Sequence, residues 1–244
     1  MLKEIKKFYD KVKLNKYVED KETEESLFVH NKIFYKSYPR FPSVDLSKVD
    51  KEESEFENLL NYRKSFRNFS DKPLSFENLS KILGSCRIVD SSEEFERRTY
   101  PSGGARFPVE IYYLSYNTRE LKNGAYHYNL KQNSLEQLLK KNFSSKEQRE
   151  LISPYLENPA GTIILTSAIS RSEVKYGLRA YPYSLIEAGH IGQNILLASS
   201  EIAIGACPVS GFVDKKVKEI LDLIENEIPI YSISLGNIRK DNLK

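Results

Sequence analysis

A lysine and a tyrosine stand side by side at Lys175-Tyr176, directly before a long apolar stretch. In a partly desolvated site such a pair can accept a proton from a substrate. The alternative is a solvent-facing start of the helix that follows. Polar groups inside an apolar helix are costly to bury without partners, so a ligand, a second subunit or a local hydrogen-bond network must engage them. The polar residues of the stretch are Glu187, His190, Gln193 and Asn194.

Two guanidiniums and a hydroxyl alternate along a basic segment at Arg63, Ser65 and Arg67. Alternate residues of an extended segment project to the same side. Arginine matches phosphate oxygens in a bidentate fashion, so this trio could bind a phosphate. The alternative is a solvated basic turn between two helices.

Three further loops combine glycine with polar residues. Pro101-Ser102-Gly103-Gly104 is a predicted turn whose two glycines would let a ligand approach the backbone, although a plain tight turn is the alternative. Pro208-Val209-Ser210-Gly211 follows a short predicted strand. Residues 236–239, from a glycine to an arginine, follow the last predicted strand.

Several common sites are excluded. The sequence lacks GxGxxG and GxxxxGK[ST], so no dinucleotide or P-loop site is predicted. Ser210 is no serine nucleophile, because Pro208 stands where a nucleophile elbow needs glycine. Glu187 and His190 form a single ExxH, whereas a di-iron bundle needs two and further carboxylates, and no metal is predicted. Two cysteines are too few for a disulfide framework.

Composition is that of an ordinary globular protein, with 40% hydrophobic and 29% charged residues among 244. The formal net charge of +3 is too small to indicate a nucleic-acid partner. The N-terminus lacks the apolar core of a signal peptide, and no run is long enough for a membrane span. We therefore expect a cytoplasmic protein without a membrane partner.

Helices and strands interleave along the chain, with hairpin and crossover connections, which predicts an α+β fold. Ser75 is a predicted N-cap. The predicted helices cover 51–62, 76–83, 134–152, 182–201 and 213–224. The predicted strands cover 109–117, 125–130, 162–169, 202–209 and 228–236.

The motifs in their joint order resemble the nitroreductase superfamily. They read RKSFR, RRTYPSGGARFPVEIYYL, VKYGLRAYPYSLIEAGHIGQNILLA, IGACPVSGF and a final SLG followed by an arginine. Within the superfamily the chain is most similar to the SagB/ThcOx type, the FMN-dependent azoline oxidases of thiazole/oxazole-modified peptide biosynthesis. The resemblance runs from about residue 27, including YPRFPSVDLS, to about residue 239.

The resemblance implies a nitroreductase-like fold, with a mixed central sheet flanked by helices in a domain-intertwined homodimer. Residues 1–50 would be an N-terminal extension wrapping the core, and 51–244 the FMN-binding domain. Glu187, His190 and Asn194 would be satisfied internally within the dimer core. Lys175 and Tyr176 match the catalytic pair of azoline oxidases. The implied cofactor-binding residues are Arg63, Ser65, Arg67, Pro101, Ser102, Gly103, Gly104, Gln193, Pro208, Val209, Ser210, Gly211, Gly236 and Arg239.

The implied reaction is oxidation of a peptide thiazoline or oxazoline to the azole. Tyr176 or Lys175 would remove a ring proton while a hydride passes to flavin N5, and oxygen would reoxidise the flavin. Pro182 stands where members often carry a basic residue, so substrate contacts there would differ. A cyclodehydratase or leader-binding partner would have to recognise the peptide. Two alternatives stay open: an NAD(P)H-dependent nitro- or quinone reductase, and a non-catalytic scaffold subunit of a peptide-modifying complex.

Overall fold

Apolar and β-branched runs form the strands of one six-stranded sheet, and helices cover it. A computed structural model describes residues 2–16, 35–46, 54–92 and 95–239. Its helices are α1 (Leu2–Val12), α2 (Glu55–Tyr62), α3 (Phe76–Gly84), α4 (Ser145–Leu151), α5 (Ser170–Tyr176), α6 (Ala180–Glu201) and α7 (Asp214–Leu221). Its strands are β1 (Ile88–Ser91), β2 (Glu96–Arg98), β3 (Val109–Ser115), β4 (Gly124–Asn129), β5 (Ser134–Lys140), β6 (Gly161–Ala168), β7 (Ile204–Val209) and β8 (Glu227–Asn237). The predicted α+β class is confirmed.

The order of the large sheet is β5-β4-β3-β6-β8-β7, and each neighbouring pair is antiparallel. The expectation of a mixed sheet was wrong for these six strands. β6 and β7 run in the same direction and are joined through α5 and α6, but β8 lies between them and is antiparallel to both. Parallel pairing occurs only as isolated bridges within the described residues, one of which joins Ser65 to Ala206 at the outer edge of β7.

The larger core cluster lies between the sheet and α6, and a second cluster packs other sheet residues against α4 and α7. All eight residues of β6 are buried, as its continuous apolar run predicts. Ile191 and Ile195 of α6 are fully buried in the same cluster. Gly192 allows the close approach of this helix, because a Cβ there would stand 2.6 Å from Cε1 of Tyr231 in β8. The buried face of α6 therefore packs directly on the sheet, and the helix runs across several of its strands.

The helix predicted over 134–152 was wrong in its first half. Residues 134–140 form edge strand β5, which pairs with β4, and only Ser145–Leu151 is helical. Leu, Glu, Gln and Lys favour helix in isolation, but pairing with β4 overrides this weak preference. Ser144 begins α4 with a capping box to Glu147. Ser75 caps α3 as predicted, accepting a hydrogen bond from the Asn78 N–H.

The N-terminal helix docks on the body of the protein. Ile5 and Tyr9 are buried against Ile169 and Ile228. Tyr9 Oη donates to Asp214 Oδ1 at 2.7 Å, at the start of α7. The predicted domain boundary at residue 50 lies outside the described residues. Across the described ranges, every helix is too short or too polar to cross a membrane.

Candidate active site

Lys175 and Tyr176 are the last two residues of α5, and they do not begin the long helix. Gly177 follows with φ of 59° and reverses the chain into a short 3-10 turn before α6. Only glycine adopts this conformation without strain, so the turn separates the two helices. Lys175 is exposed and Tyr176 is half-buried.

The two side chains meet over Gly104, whose φ of 62° again favours glycine. A Cβ on Gly104 would overlap Tyr176 Oη and would stand 3.0 Å from Lys175 Nζ. Tyr183 of α6 packs edge-on against Tyr176 with ring centroids 5.1 Å apart, and a Cβ on Gly103 would stand 3.6 Å from its ring. The predicted catalytic pair and the predicted glycine loop therefore form one group, which we call the loop cluster: Pro101–Gly104, Lys175 and Tyr176.

Ser102 faces inward from the loop cluster. Its hydroxyl donates to Glu187 Oε2 and accepts the Phe107 N–H at 2.9 Å. Glu187 Oε1 accepts the Val109 N–H at 3.3 Å. The Ser102 hydroxyl thus holds the loop in place through two hydrogen bonds. The exposed residues Pro101, Gly103 and Gly104 form the outer surface of the loop.

Burial is the largest influence on the pKa values of the titratable side chains beneath this loop. It raises the pKa of Glu187 to about 7, against smaller opposite effects of its hydrogen bonds and of Arg98 and Arg171. Burial also raises the pKa of Tyr100. Arg98 lies 4.1 Å from the centroid of the Phe107 ring and donates to Tyr100 Oη at 2.8 Å. A cleft of about 400 Å³ borders this region, lined by residues 96–102 with Ala105 and Phe107.

Arg63, Ser65 and Arg67 follow the outer edge of β7. The Phe66 N–H donates to the Ala206 carbonyl at 3.0 Å, which holds this segment parallel to the strand. Arg67 lies close enough to Cys207 to oppose the rise in the pKa of that thiol, which burial causes. Within the described part of the chain, no salt bridge engages Arg63 or Arg67. The trio therefore has the extended geometry that its alternation predicts.

Pro208–Gly211 continues from β7 beside this segment. Pro208 and Val209 are the last residues of the strand, and Ser210 and Gly211 lie in the loop that leads to α7. Ser210 is exposed, while Val209 packs in the same apolar cluster as Phe66.

Gly236 and Arg239 occupy different environments. β8 extends to Asn237, so Gly236 is buried inside a strand, paired with Gly205, and does not belong to a loop. A Cβ at Gly236 would stand 2.8 Å from Cβ of Phe69, so the glycine serves close packing. Arg239 Nη1 lies 3.7 Å from Glu157 Oε2, and the Glu157 N–H donates to the Arg67 carbonyl. We call Arg63, Ser65, Arg67, Pro208–Gly211 and Arg239 the edge cluster.

The polar residues of α6 divide between its two faces. Glu187 is buried, and Asn194 Nδ2 donates to the carbonyls of Ser85 and Thr99 at 3.2 and 3.1 Å. These two are satisfied internally, as predicted. His190 and Gln193 are exposed on the described chain, so the internal network does not include them.

The loop cluster and the edge cluster lie apart in one chain. β6, β8 and β7 separate the start of β3 from the Arg63–Arg67 segment. Four strand spacings amount to about 19 Å across the sheet. α6 has Glu187 at the loop cluster and Ser200 in a groove that also includes Lys64 and Phe66. Thirteen helical residues rise by about 20 Å, so Glu187 and Ser200 also lie far apart along α6.

The donor set of the edge cluster suits an anionic group such as the phosphate of FMN. Two guanidiniums and a hydroxyl stand on one extended segment, next to the exposed Ser210 and the half-buried Gly211. Arginine provides planar, permanently charged donors for phosphate oxygens. Gly103 and Gly104 are exposed and carry no side chains of their own, so a flat ring could approach their backbone beside Lys175 and Tyr176.

The sequence reasoning missed Tyr183 and Arg171. Arg171 Nη1 donates to the Phe107 carbonyl at 3.0 Å, and its Nη2 lies 2.5 Å from Glu110 Oε1, so α5 also holds the end of the glycine loop. Tyr183 and Glu187 are four residues apart on one helix, and this spacing places them on the same face. That spacing was a usable signal for Tyr183, whereas the contact of Arg171 is made by tertiary structure alone.

Comparisons with known proteins agree with this architecture. The model of the nitroreductase family matches residues 60–237. The Methanocaldococcus jannaschii protein MJ1384, named as a nitroreductase, is 27% identical over 195 residues, which are 80% of this chain and 96% of that protein. The Escherichia coli microcin B17-processing protein McbC is 27% identical over 187 residues, 71% of this chain and 66% of McbC.

Two solved structures show the same fold. A chain of the E. coli microcin synthetase McbBCD complex, with truncated pro-MccB17 bound, has a TM-score of 0.77 at 22% identity. The match covers 98% of this chain and 93% of that one. A nitroreductase-type protein from Anabaena variabilis has a TM-score of 0.65 at 26% identity, over 76% of this chain and 38% of that one. The predicted nitroreductase-like fold is confirmed.

Proposed function

The chain belongs to the nitroreductase family, and from this premise we propose that it is an FMN-dependent dehydrogenase that oxidises peptide thiazolines or oxazolines to azoles. The observation that carries the proposal is the meeting of Lys175 Nζ and Tyr176 Oη over Gly104. A proton acceptor is thereby presented at the loop expected to line the flavin. The similarity to McbC, a microcin B17-processing protein, supports the SagB/ThcOx type and a peptide substrate.

The chain's own residues would bind, orient and deprotonate the substrate. Arg63, Ser65 and Arg67 would hold the FMN phosphate and ribityl chain. When bound, FMN supplies the hydride acceptor that oxidation of an azoline requires. Tyr176 Oη or Lys175 Nζ would take the proton from the azoline ring carbon. Packing of Tyr183 against Tyr176 restricts the phenol to the neighbourhood of Gly104.

The proposal includes a homodimer, because the loop cluster and the edge cluster lie too far apart within one chain to form one site. A two-fold interface places the same patch of both copies in contact, so it could bring the edge cluster of one copy to the loop cluster of the other. α6 exposes Leu185 and Ile186 next to His190 and Gln193, on a face that no described element covers. Residues 35–46 also expose large apolar side chains, which a dimer interface would bury. They are Tyr35, Tyr38, Phe41, Val44 and Leu46.

A cyclodehydratase or leader-binding protein is the proposed partner. In the related solved complex, the chain of this fold belongs to the McbBCD assembly with a truncated propeptide bound. By analogy, the peptide would reach the present chain within a complex, and reconstitution would need the partner proteins.

The visible spectrum of the purified protein tests the proposal. We expect flavin absorbance, and release of the flavin should identify FMN. An azoline peptide with its partners should bleach the flavin without oxygen and yield azole in air. Bleaching by NAD(P)H alone, with no azole, would favour the nitro- or quinone reductase that the family name suggests. A colourless protein unchanged by Arg67→Ala would favour the scaffold subunit.

A further inference from the structure

Glu187 connects the middle of α6 to both ends of the glycine loop. Its side chain is 2% exposed. One carboxyl oxygen accepts the Ser102 hydroxyl, and the other accepts the Val109 N–H at 3.3 Å. The Ser102 hydroxyl in turn accepts the Phe107 N–H at 2.9 Å. The turn at Gly103 and Gly104 lies between these attachment points.

The basic groups that face Glu187 are engaged elsewhere. Arg98 of β2 donates to Glu96 Oε1 at 2.6 Å and to Tyr100 Oη. Arg171 of α5 pairs with Glu110 and with the Phe107 carbonyl. Tyr100 is the other titratable group that interacts with the carboxyl. Among the described residues no salt bridge reaches Glu187, and burial therefore raises its pKa to about 7.

We propose that Glu187 is a positioning residue, which in its protonated form anchors the Ser102–Val109 loop so that Gly103 and Gly104 stay against Tyr183, Lys175 and Tyr176. A protonated carboxyl still accepts a hydrogen bond from the Val109 N–H and keeps a hydrogen bond with the Ser102 hydroxyl. It also leaves no unpaired charge beneath the loop. Ionisation places a charge in a buried, unpaired position, which favours opening of the loop to water.

For flavin binding, the inference rests on the proposed function. A flat ring on the outer surface of the loop would bury Glu187 more deeply and favour its neutral form. Flavin binding and proton uptake are then linked. Above pH 7, FMN affinity should therefore weaken with pH by up to about tenfold per unit, the limit for one linked proton.

The anchoring role is tested first in flavin-free protein, by hydrogen exchange of the Phe107 and Val109 amides. Glu187→Leu removes both hydrogen bonds at similar volume, and we expect exchange at Val109 to rise about tenfold, the equivalent of one lost hydrogen bond. Glu187→Gln can accept from Val109 and donate to Ser102, so it should keep the protection. Ser102→Ala should release the Phe107 amide. Glu201→Gln, an exposed glutamate at the end of the same helix, is the matched control.

The protonation link is tested by titrating each variant with FMN between pH 5.5 and 8.5. We expect the affinity of the wild type and of Glu201→Gln to fall above about pH 7, and that of Glu187→Gln to show no such inflection. Equal amide protection in wild type and Glu187→Leu would overturn the anchoring role. The same pH profile in wild type and Glu187→Gln would overturn the protonation link. Failure of every variant to bind FMN would refute the proposed function, while the exchange data would still decide the anchoring role.

Discussion

At the scale of residues, two adjacent side chains converge on one glycine from the end of α5. Lys175 Nζ and Tyr176 Oη both approach Gly104, so either could take a substrate proton. Lys175 is exposed, whereas Tyr176 is half-buried and packed against Tyr183. The tyrosine is therefore the better fixed of the two, and separate substitutions can assign the step.

Tyr176→Phe and Lys175→Ala should leave FMN bound but slow azole formation. Loss of a general base typically costs about 10²–10⁴-fold in rate. Mass spectrometry of the peptide product measures the effect, and the flavin spectrum confirms that the cofactor is retained. Tyr155→Phe and Lys131→Ala, at exposed positions, are the matched controls. Wild-type azole yield from both test variants would disprove the role of the pair.

Glu187→Gln should change how the free energy of unfolding depends on pH. Burial raises the pKa of Glu187 to about 7 in the folded protein, above the ordinary glutamate pKa of 4.5. The folded state then holds the proton more tightly than the unfolded state does. The stabilisation that comes from protonating Glu187 is therefore complete below pH 4.5 and is lost as the pH rises to 7. As the pH rises through this window, the free energy of unfolding of Glu187→Gln should increase relative to that of the wild type by on the order of 2–3 kcal/mol. Urea unfolding at pH 5 and pH 7.5 measures the gain, and parallel curves would refute it.

At the scale of elements, the loop before β3 depends on two neighbouring helices, α5 through Arg171 and α6 through Glu187, and on its own glycines. Gly104 combines a φ of 62° with a contact to Tyr176 that leaves no room for a Cβ. The conformation of the loop and the placement of Lys175 and Tyr176, the proposed catalytic pair, are therefore coupled.

Gly104→Ala should displace Tyr176 and strain the loop. A non-glycine residue in this backbone region costs about 1–3 kcal/mol, in addition to the overlap. We expect lower thermal stability and lower activity, measured by calorimetry and azole yield. Gly84→Ala is the matched control, because no atom lies within 4 Å of its Cβ position at the end of α3. That control should be neutral or stabilising by about 0.4–1 kcal/mol. Equal behaviour of the two variants would argue against the coupling.

At the scale of the whole molecule, the Arg63–Arg67 segment of the edge cluster lies four strand spacings, about 19 Å across the sheet, from the start of β3 beside the loop cluster. We propose that two copies complete each site, a proposal that the family resemblance and the exposed apolar face of α6 support. A composite site of this kind makes a distinctive prediction for mixed dimers.

Arg67→Ala and Lys175→Ala should complement each other when mixed. In a mixed dimer, one site would contain both defects and the other would be intact. Random exchange of subunits gives half mixed dimers, so the mixture should recover about a quarter of wild-type activity. The measurement is azole yield after refolding the variants together, with each variant refolded alone as the control. No recovery, despite a dimer in sedimentation, would place the whole site within one chain.

Local sequence patterns were enough to predict the α+β class, most elements and the groups of residues proposed to carry chemistry. Periodicity and caps identify α3, α6 and β6, because burial and capping are local in sequence. Local preference failed at residues 134–140, where pairing with β4 overrides helix-forming residues. Only the tertiary structure placed Tyr176 and Lys175 over Gly104, turned Ser102 inward to Glu187, and separated the loop cluster from the edge cluster. These facts depend on contacts between segments far apart in the chain, and spacing along a sequence carries no information about such distances.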